Sequence, residues 1–573
     1  MRRLAVTAPP DTSAPRRSWI PAPRRSMEGT PTARPPCPPV MRRGLTVTGF
    51  GLAAVFYCLS FTPSLLPRPY SLQGVVAGIT AATGYAVGTT AAALVRLSWR
   101  PSERTVRIAW WVLFTLVPIL ILIFLWLSTR WQRELRLRLG MAPAQEYDLA
   151  RTVGFSLLTF GVILLVSRVL RLATHGLAHA FGHVVPSTPA YCAGFLVVAL
   201  LSYTAFDKVM INYLYNTADR SAAITDSGTG RGIVRPSSTL RSGGPHSLIA
   251  WNSLGRQGRN FVAGAPSQRQ LTAFSGRPAL VPIRLYAGLQ SAPTPQDRAR
   301  LVVDEMVRTG AFDRAVVAVF TPTGTGWVDN DVTSSLEYMY SGDTALVSMQ
   351  YSYLPSWISF LVDRAKVAEA ASALITAVHD RWAAMPAAGR PKLLIFGESL
   401  GTYGTEKTFG SAAQMVAGAD GLLLEGPTFA NPIHQQLTTD REEGSTVWDP
   451  RYPDLPVEFA SGATELRDRA GTPPRVVYMQ NSSDPVVWWS PSLLWHRPPW
   501  LRGQRGPDVT RDMHWYPGIT FWQTTVDLVF ANKAPIGHGH VYKSATVDGW
   551  AALAPPPGWT VGDTLRLRAL LDR

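Results

Sequence analysis

The stretch Leu393-Leu394-Ile395-Phe396-Gly397-Glu398-Ser399-Leu400-Gly401 decides the fold of the C-terminal part of the chain. Its four leading apolar residues predict a short strand that is buried on both faces of a sheet. A Gly-x-Ser-x-Gly motif follows directly, and Thr402-Tyr403-Gly404 opens a segment that is compatible with a helix. A serine on a sharp turn between a strand and a helix presents its hydroxyl at the edge of the sheet. We therefore predict that Ser399 is a nucleophile.

The two glycines of this motif and the following helix indicate how such a serine would work. The serine of such a turn is held in a strained backbone conformation. Residues larger than glycine at positions 397 and 401 would clash with the adjoining strand and helix. Helix N-termini favour developing negative charge through their free backbone N–H groups. The N–H of Leu400 is therefore one predicted donor to an oxyanion.

A second oxyanion donor is expected from the loop after an earlier strand, which runs from Ala315 to Phe320. The loop reads Thr321-Pro322-Thr323-Gly324-Thr325-Gly326-Trp327, and its glycines permit a close approach of the backbone to a tetrahedral intermediate. We predict that Thr323 and Gly324 supply this donor. The Gly-Thr-Gly stretch also resembles a phosphate-binding loop, but the required spacing to Gly-Lys-Ser/Thr is absent, so we reject a nucleotide site.

A serine nucleophile needs a base to accept its proton and an acid to orient that base. Asp484 follows the strand-like Arg475–Met479 and precedes Pro485, so it is either this acid or an ordinary turn residue. Two histidines, His538 and His540, lie in a glycine-rich loop just before the last helical pattern. We favour His540 as the base because it lies closer to that helix, and we expect His538 to shape or hydrogen-bond the site.

Short β-branched runs alternate with helical patterns from residue 213 to residue 573. Alternation of this kind predicts βαβ units and a mostly parallel sheet. The predicted strands include 315–320, 345–349, 393–396, 422–424 and 476–479, and the helical patterns include 296–308, 367–382 and 405–416.

Five segments carry a resemblance to known proteins: Ser60–Arg68, Leu254–Arg259, Thr321–Trp327, Gly397–Gly401 and Gly537–Tyr542. On these segments the chain resembles the α/β-hydrolase superfamily. More closely, it resembles a bacterial family of predicted membrane proteins that joins an N-terminal transmembrane region to an α/β-hydrolase domain. The resemblance implies an α/β-hydrolase fold and a Ser-Asp-His order of the catalytic residues along the chain. It does not supply a substrate.

Five apolar runs precede the predicted hydrolase domain, and each approaches or reaches the ~20 residues that a helix needs to cross a bilayer. Arg clusters between the runs favour a transmembrane bundle of about five spans over buried helices of a soluble fold. With five spans, most of the flanking arginines fall on the N-terminal side, which favours an extracytoplasmic catalytic domain. The arginines of the opposing loop, Arg130, Arg133, Arg136 and Arg138, favour the reverse orientation. We predict a disordered, basic, Pro-rich tail over 1–43, a transmembrane domain over 44–212 and an α/β-hydrolase domain over 213–573. The runs are Leu45–Leu66, Gly74–Val95, Ala109–Leu127, Thr152–Leu170 and Ala190–Phe206.

The formal net charge of +16 does not indicate a nucleic-acid partner. Nearly all the basic residues are Arg, many in the tail or beside apolar runs, and no basic stripe interleaves with aromatic residues in the C-terminal half. The three cysteines, Cys37, Cys58 and Cys192, lie outside the predicted hydrolase domain, so we expect no disulfide framework there. No metal motif of recognisable spacing is present, and we expect neither a metal nor a cofactor.

These observations predict a membrane-anchored serine hydrolase that cleaves a small-molecule or lipid ester, envelope-derived esters included, through an acyl-enzyme intermediate. Two alternatives stay open: an acyltransferase on the same triad, and a catalytically inactive membrane scaffold or transport accessory protein. Arg256 and Arg259 either bind an anionic group of the substrate or pair as surface charges with nearby carboxylates. Membrane lipids are the expected partners, and the bacterial plasma membrane is the expected location.

Overall fold

The computed structural model describes residues 46–99, 101–142, 148–181, 187–204, 223–355, 359–360, 364–452, 454–461, 466 and 473–572. The predicted basic tail and the predicted boundary between residues 212 and 213 lie outside these ranges. Within them, a set of apolar helices is followed by a sheet with its surrounding helices.

The apolar helices are α1 (Val47–Leu59), α2 (Tyr70–Ser98), α3 (Glu103–Arg138), α4 (Leu149–Phe181) and α5 (Ser187–Thr204). In the described part of the chain, three of them, α2, α3 and α4, are long and apolar enough to cross a membrane, and the other two are shorter. The prediction of about five spans is therefore supported for three helices. Large apolar side chains of α3 and α4 are exposed, among them Trp111 (71 %) and Leu157 (65 %), as expected for helices that contact lipid.

Helix α2 packs closely against a neighbour on each of two sides through its glycines. A Cβ atom at Gly84 would lie 2.5 Å from the carbonyl oxygen of Leu52 in α1. A Cβ atom at Gly78 would lie 2.7 Å from the carbonyl oxygen of Ser156 in α4. Small residues thus allow three helices to approach one another, which is how membrane helices commonly associate.

Seven parallel strands form the sheet of the described C-terminal part, in the order β1-β3-β2-β4-β5-β7-β6. Every residue of β2 and β3 is buried, so both faces of the sheet are covered, and this explains why the strands are near-continuous apolar runs. The prediction of an α/β domain with a mostly parallel sheet is confirmed. The strands are β1 Ile283–Ala287, β2 Val316–Thr321, β3 Thr344–Met349, β4 Lys392–Glu398, β5 Gly421–Glu425, β6 Val457–Ala460 and β7 Val476–Met479.

Local signals set the bounds of the helices that cover the sheet. The helix from Pro295 begins with a cap, because the Thr294 hydroxyl accepts from the N–H of Asp297 (3.1 Å), and it ends at Gly310, whose φ is 67°. The α-helices are α6 Gly255–Ala263, α7 Gln268–Ser275, α8 Pro295–Thr309, α9 Asn330–Met339, α10 Arg364–Ala383, α11 Leu400–Thr408, α12 Ala412–Gly418, α13 Pro432–Thr439, α14 Pro485–Trp488, α15 Ile519–Asp527, α16 Thr546–Leu553 and α17 Val561–Leu571. Shorter 3₁₀ helices cover Trp251–Leu254, Ala311–Asp313, Ala387–Gly389, Pro491–Leu494, Pro499–Leu501, Leu528–Lys533 and Lys543–Ala545.

The first apolar run differs from its prediction, because α1 ends at Leu59 instead of continuing to Leu66. Pro63 and Pro67 in the following segment have no N–H to donate within a helix. Residues Ser60–Arg68, called the docking segment below, are all buried. Leu65 and Leu66 pack in a hydrophobic core with Trp488, Trp500 and other residues of the C-terminal part. The apolar character of this segment therefore reflects packing within the protein.

Buried polar contacts join the docking segment to α15. The Nε atom of Arg68 lies 3.1 Å from Oδ1 of Asp527, and neither side chain is exposed. The hydroxyl of Ser64 and the N–H of Leu65 donate to Oδ2 of Asp527. One turn earlier in α15, Nε2 of Gln523 donates to backbone carbonyls of the docking segment at 2.9 and 3.1 Å. The apolar helices and the sheet domain are thus joined by a specific, dehydrated interface.

Removing the Asp527 carboxylate is expected to destabilise the protein strongly. The Asp527→Ala variant leaves the Arg68 guanidinium buried without its counter-ion, which typically costs ~3–5 kcal/mol. The matched control is Glu134→Ala, which breaks the half-exposed ion pair with Arg138 and should cost less than ~1 kcal/mol. Unfolding temperatures of the full chain in detergent measure both effects, and equal shifts for the two variants would contradict the structural role of Asp527.

Enlarging Gly84 is expected to separate α1 from α2. The Gly84→Leu side chain would collide with the backbone of Leu52, and overpacking of this kind typically costs ~1–3 kcal/mol. Gly161→Leu in α4 is the control, because a Cβ atom at Gly161 would meet nothing within 4 Å among the described residues. Thermal unfolding in detergent should therefore distinguish the two, and a Gly84→Leu variant as stable as Gly161→Leu would rule out this packing.

Candidate active site

Ser399 lies in the turn between β4 and α11, where its φ is 54° and its ψ is −120°. A positive φ is strained for a residue with a Cβ atom and persists only where the surrounding contacts enforce it. The N–H of Ser399 donates to the carbonyl of Glu425 at the end of β5 (2.8 Å), and the hydroxyl of Thr402 donates to the Ser399 carbonyl (2.6 Å). These bonds hold the predicted nucleophile at the carboxyl end of two neighbouring strands.

The glycines that flank Ser399 are required by close backbone contacts. A Cβ atom at Gly397 would lie 2.9 Å from the backbone nitrogen of Thr402, inside the turn itself. A Cβ atom at Gly401 would collide with the carbonyl oxygen of Thr321, the last residue of β2. The second contact also brings the loop after β2 against the start of α11, beside Ser399.

His540 and Asp484 form a buried pair at the same edge of the sheet. Nδ1 of His540 lies 2.6 Å from Oδ2 of Asp484, at hydrogen-bond distance. The hydroxyl of Tyr542 donates to the same oxygen (2.7 Å), while Oδ1 accepts from the N–H of Val486 (2.8 Å). Burial lowers the pKa of His540, but the charge and hydrogen bond of Asp484 outweigh burial and leave that pKa above its usual value.

Gly426 connects the histidine to the serine turn. A Cβ atom at Gly426, whose φ is 57°, would collide with the imidazole ring of His540. Gly426 directly follows Glu425, the residue whose carbonyl accepts from the N–H of Ser399. The end of β5 thus contacts both the serine turn and the histidine ring.

His538 has a separate acidic partner. Its Nδ1 lies 3.0 Å from Oδ2 of Asp508, which also accepts from the hydroxyl of Ser483 (2.6 Å). That hydroxyl in turn accepts from the N–H of Gly539 (2.9 Å), in the loop between the two histidines. The two histidines that compete in the sequence therefore have different acidic partners, Asp508 for His538 and Asp484 for His540. The contact between His538 and Asp508 supports the loop that carries His540.

The loop after β2 lies against the start of α11 and carries Thr323 and Gly324, the predicted second oxyanion donors. The N–H of Thr323 donates to the carbonyl of Trp327 (3.1 Å), so this N–H is not free to donate to an oxyanion as the sequence predicts. The hydroxyl of Thr323 is buried and has no hydrogen-bond partner among the described residues. Gly324 adopts a φ of 47°, and Leu400 is the first residue of α11, where the N–H has no acceptor within the helix.

Arg259 makes contacts that favour a structural role over the predicted substrate binding. It is buried, and its Nη2 donates to the backbone carbonyls of residues 226, 227 and 228 at 2.7 to 2.8 Å. The guanidinium also lies over the ring of Trp251. Arg256 donates its backbone N–H to Asp226 (2.9 Å), and substrate binding by its side chain stays a prediction.

Two carboxyl groups that the sequence reasoning missed lie beside the nucleophile. Glu398 and Glu425 are partners in the register of β4 and β5, so their side chains are neighbours on one side of the sheet. Burial raises the pKa of Glu398 to about 8, and the charge of Asp329 adds to the shift. Burial and the charge of Glu398 raise the pKa of Glu425 well above its usual value. A glutamate at the last position of each of two apolar strands is the signal that could have indicated this pair.

Replacing Glu398 by Gln is expected to flatten the pH dependence of stability. Because the pKa of this carboxyl is about 8 in the folded protein against an ordinary value of 4.5, the folded state binds the proton more tightly than the unfolded state. Its contribution to stability therefore falls as the pH rises between those values, by at most ~1.4 kcal/mol per pH unit. Unfolding temperatures measured from about pH 5 to about pH 9 should fall less steeply for Glu398→Gln than for the wild type.

The exposed Glu443 offers a control for this experiment. Glu443→Gln should keep the wild-type slope, since the change removes a carboxyl that is solvated in both states. Parallel curves for the wild type and Glu398→Gln would mean that Glu398 is ionised in the folded protein, against the interpretation above.

Comparisons with known proteins agree with the α/β fold. A family model described as "Alpha/beta-hydrolase family" matches residues 283–567, and one described as "Alpha/beta-hydrolase family N-terminus" matches residues 61–266. A search of curated proteins and a search of solved structures found no match. In the described residues, no group of three or more His, Cys, Asp or Glu side chains is arranged to hold a metal ion. The chain belongs to the alpha/beta-hydrolase family.

Proposed function

We propose that the chain is a membrane-anchored serine hydrolase that cleaves an ester through Ser399, His540 and Asp484. The observation that carries the proposal is the buried bond between His540 and Asp484 (2.6 Å), at the sheet edge where Ser399 occupies a strained turn. A strained serine together with an imidazole oriented by a carboxylate is the arrangement that nucleophilic catalysis requires.

The proposed reaction proceeds in two displacements. With Nδ1–H of His540 donating to Asp484, Nε2 is the basic atom, and it accepts the proton of Ser399 as Oγ attacks the ester carbonyl. The tetrahedral intermediate collapses, the bond to the leaving alkoxide breaks, and the imidazolium returns the proton to that oxygen. Water, deprotonated by the same Nε2, then attacks the acyl-enzyme, and the acid is released as Ser399 regains its proton. Asp484 stabilises the imidazolium in both steps, and Tyr542 helps to fix its carboxylate.

The developing oxyanion needs two donors in this scheme. The N–H of Leu400 is one, because it is the first residue of α11 and follows the nucleophile. We assign the second to the loop after β2, to the backbone of Gly324 or to the unpartnered hydroxyl of Thr323. The hydroxyl is a refinement of the expectation from the sequence, since the N–H of Thr323 is occupied by the carbonyl of Trp327.

Helices α2, α3 and α4 support the membrane attachment in this proposal, by their length and composition. Attachment would place the catalytic domain next to lipids, so lipid esters and envelope-derived esters are the proposed substrate class. We place the anchor in a bacterial plasma membrane, as the resemblance implies. Arg96, Arg104 and Arg107, at the ends of α2 and α3 that lie away from the sheet domain, support an extracytoplasmic catalytic domain.

Labelling with a fluorophosphonate probe tests the triad directly. Membranes that contain the wild-type chain should be labelled, and Ser399→Ala should abolish labelling because it removes the Oγ atom that is proposed to attack the probe. His540→Ala should slow labelling by roughly 10³-fold or more, since the base is lost. His538→Ala is the matched control: it removes the neighbouring imidazole and should retain most of the rate.

Two results would reject the assignment. Labelling that persists in Ser399→Ala would place the nucleophile elsewhere, and a His538→Ala variant as slow as His540→Ala would remove the distinction between the two histidines. Each variant must unfold in detergent at the same temperature as the wild type, so that a loss of labelling reflects lost chemistry and not unfolding.

A further inference from the structure

A cavity of about 610 Å³ lies where α2, α3 and the 3₁₀ helix Leu528–Lys533 meet. Five basic residues line it, together with apolar residues such as Leu66, Met141 and Phe530. We call it the basic cavity, and its cationic residues are Arg68, Arg130, Arg133, Arg136 and Lys533. It combines strong positive charge with an apolar surface.

The positive charge of the basic cavity is poorly compensated. The acidic residue in its lining, Asp148, pairs with Arg151 at 3.0 Å. Arg68 is balanced by Asp527, yet neither of its Nη atoms has a hydrogen-bond partner among the described residues. The guanidinium group of Arg133 and the ammonium group of Lys533 make no ion pair within the part of the chain that the structure describes. Arg130, Arg133 and Lys533 are exposed, so the cavity presents a net positive charge that would attract an anionic ligand.

The position of the basic cavity indicates where that anion comes from. Arg130, Arg133 and Arg136 lie in the last turns of α3, directly after its apolar stretch. The end of an apolar helix that crosses a bilayer lies at the level of the lipid headgroups, where basic and aromatic side chains concentrate. Trp126 is 58 % exposed beside Arg130, as an interfacial aromatic residue would be. The apolar lining suits the glycerol and upper acyl atoms of a lipid.

Arginine side chains recognise phosphate through charge-assisted hydrogen bonds, often two at a time. We propose that the basic cavity binds the phosphate headgroup of an anionic membrane phospholipid. The proposal rests on the membrane anchoring in the proposed function, but not on the chemistry at Ser399.

A lipid in the basic cavity would contact the support of the catalytic loop. Lys533 lines the cavity and ends the 3₁₀ helix whose Ala531 carbonyl accepts from the N–H of His540 (2.9 Å). The same helix follows α15, which carries Asp527 and thus the contact to Arg68. The bound headgroup would therefore connect the membrane surface to the loop that positions the proposed base.

Binding of short-chain lipids to the purified full chain in neutral detergent tests the proposal. Calorimetric titrations use the Ser399→Ala protein, so that turnover cannot consume a ligand. Dihexanoyl phosphatidylglycerol should bind roughly tenfold or more tightly than the zwitterionic dihexanoyl phosphatidylcholine. The Arg133→Ala/Lys533→Ala double variant should weaken phosphatidylglycerol binding by roughly tenfold or more, because two cationic contacts are lost.

The control for these titrations is Arg104→Ala/Arg107→Ala, which removes two exposed arginines from the opposite end of α3 and should bind like the parent. Equal affinity for the two lipids, or unchanged affinity in the Arg133/Lys533 variant, would overturn the proposal. Inorganic phosphate that binds as tightly as phosphatidylglycerol would overturn the lipid assignment. Failure of probe labelling at Ser399 would reject the proposed hydrolase and leave these binding results unaffected.

Discussion

Parallel pairing of β2, β4, β5 and β7 is the constraint on which the candidate site depends. Strands that run in one direction release their following loops at the same edge of the sheet. Ser399 after β4, Gly426 after β5, Asp484 after β7 and the Thr321 loop after β2 therefore converge, although they are distant in the sequence. The histidine loop joins them because its His540 bonds to Asp484.

A second network of hydrogen bonds, centred on the buried Glu406, holds α11 in place next to the strained serine turn. Glu406 in α11 is buried and accepts from the amide of Asn431, the hydroxyl of Tyr478 and the N–H of Ile433 at 2.7 to 2.9 Å. These donors come from α13 and its cap and from β7, so α11, whose N-cap is Ser399, is fixed on several sides. Burial still raises the pKa of Glu406 to about 7, ahead of the opposing effect of these bonds. A rigid α11 keeps the serine turn in its positive-φ conformation.

The docking segment explains a part of the sequence that hydropathy alone misassigns. Its leucines and prolines extend the first apolar run, and a transmembrane interpretation of Leu45–Leu66 follows naturally from composition. In the folded chain Ser60–Arg68 follows α1 and lies between the apolar helices and α15. There Asp527 accepts hydrogen bonds from Ser64 and Leu65 and forms an ion pair with Arg68. Composition cannot distinguish a segment that is buried in protein from one that is buried in lipid, because both environments favour the same apolar residues.

The sequence by itself determined the α/β class, the parallel sheet and the turn at Ser399, because apolar runs and flanking glycines are local signals that the chain obeys wherever it folds. It also determined the order of serine, aspartate and histidine. Only the tertiary structure assigned Asp484 to His540 and Asp508 to His538, since two histidines in one loop have the same local signature. The pairing of Glu398 with Glu425 was likewise decided by strand register, a contact between segments that no local pattern encodes.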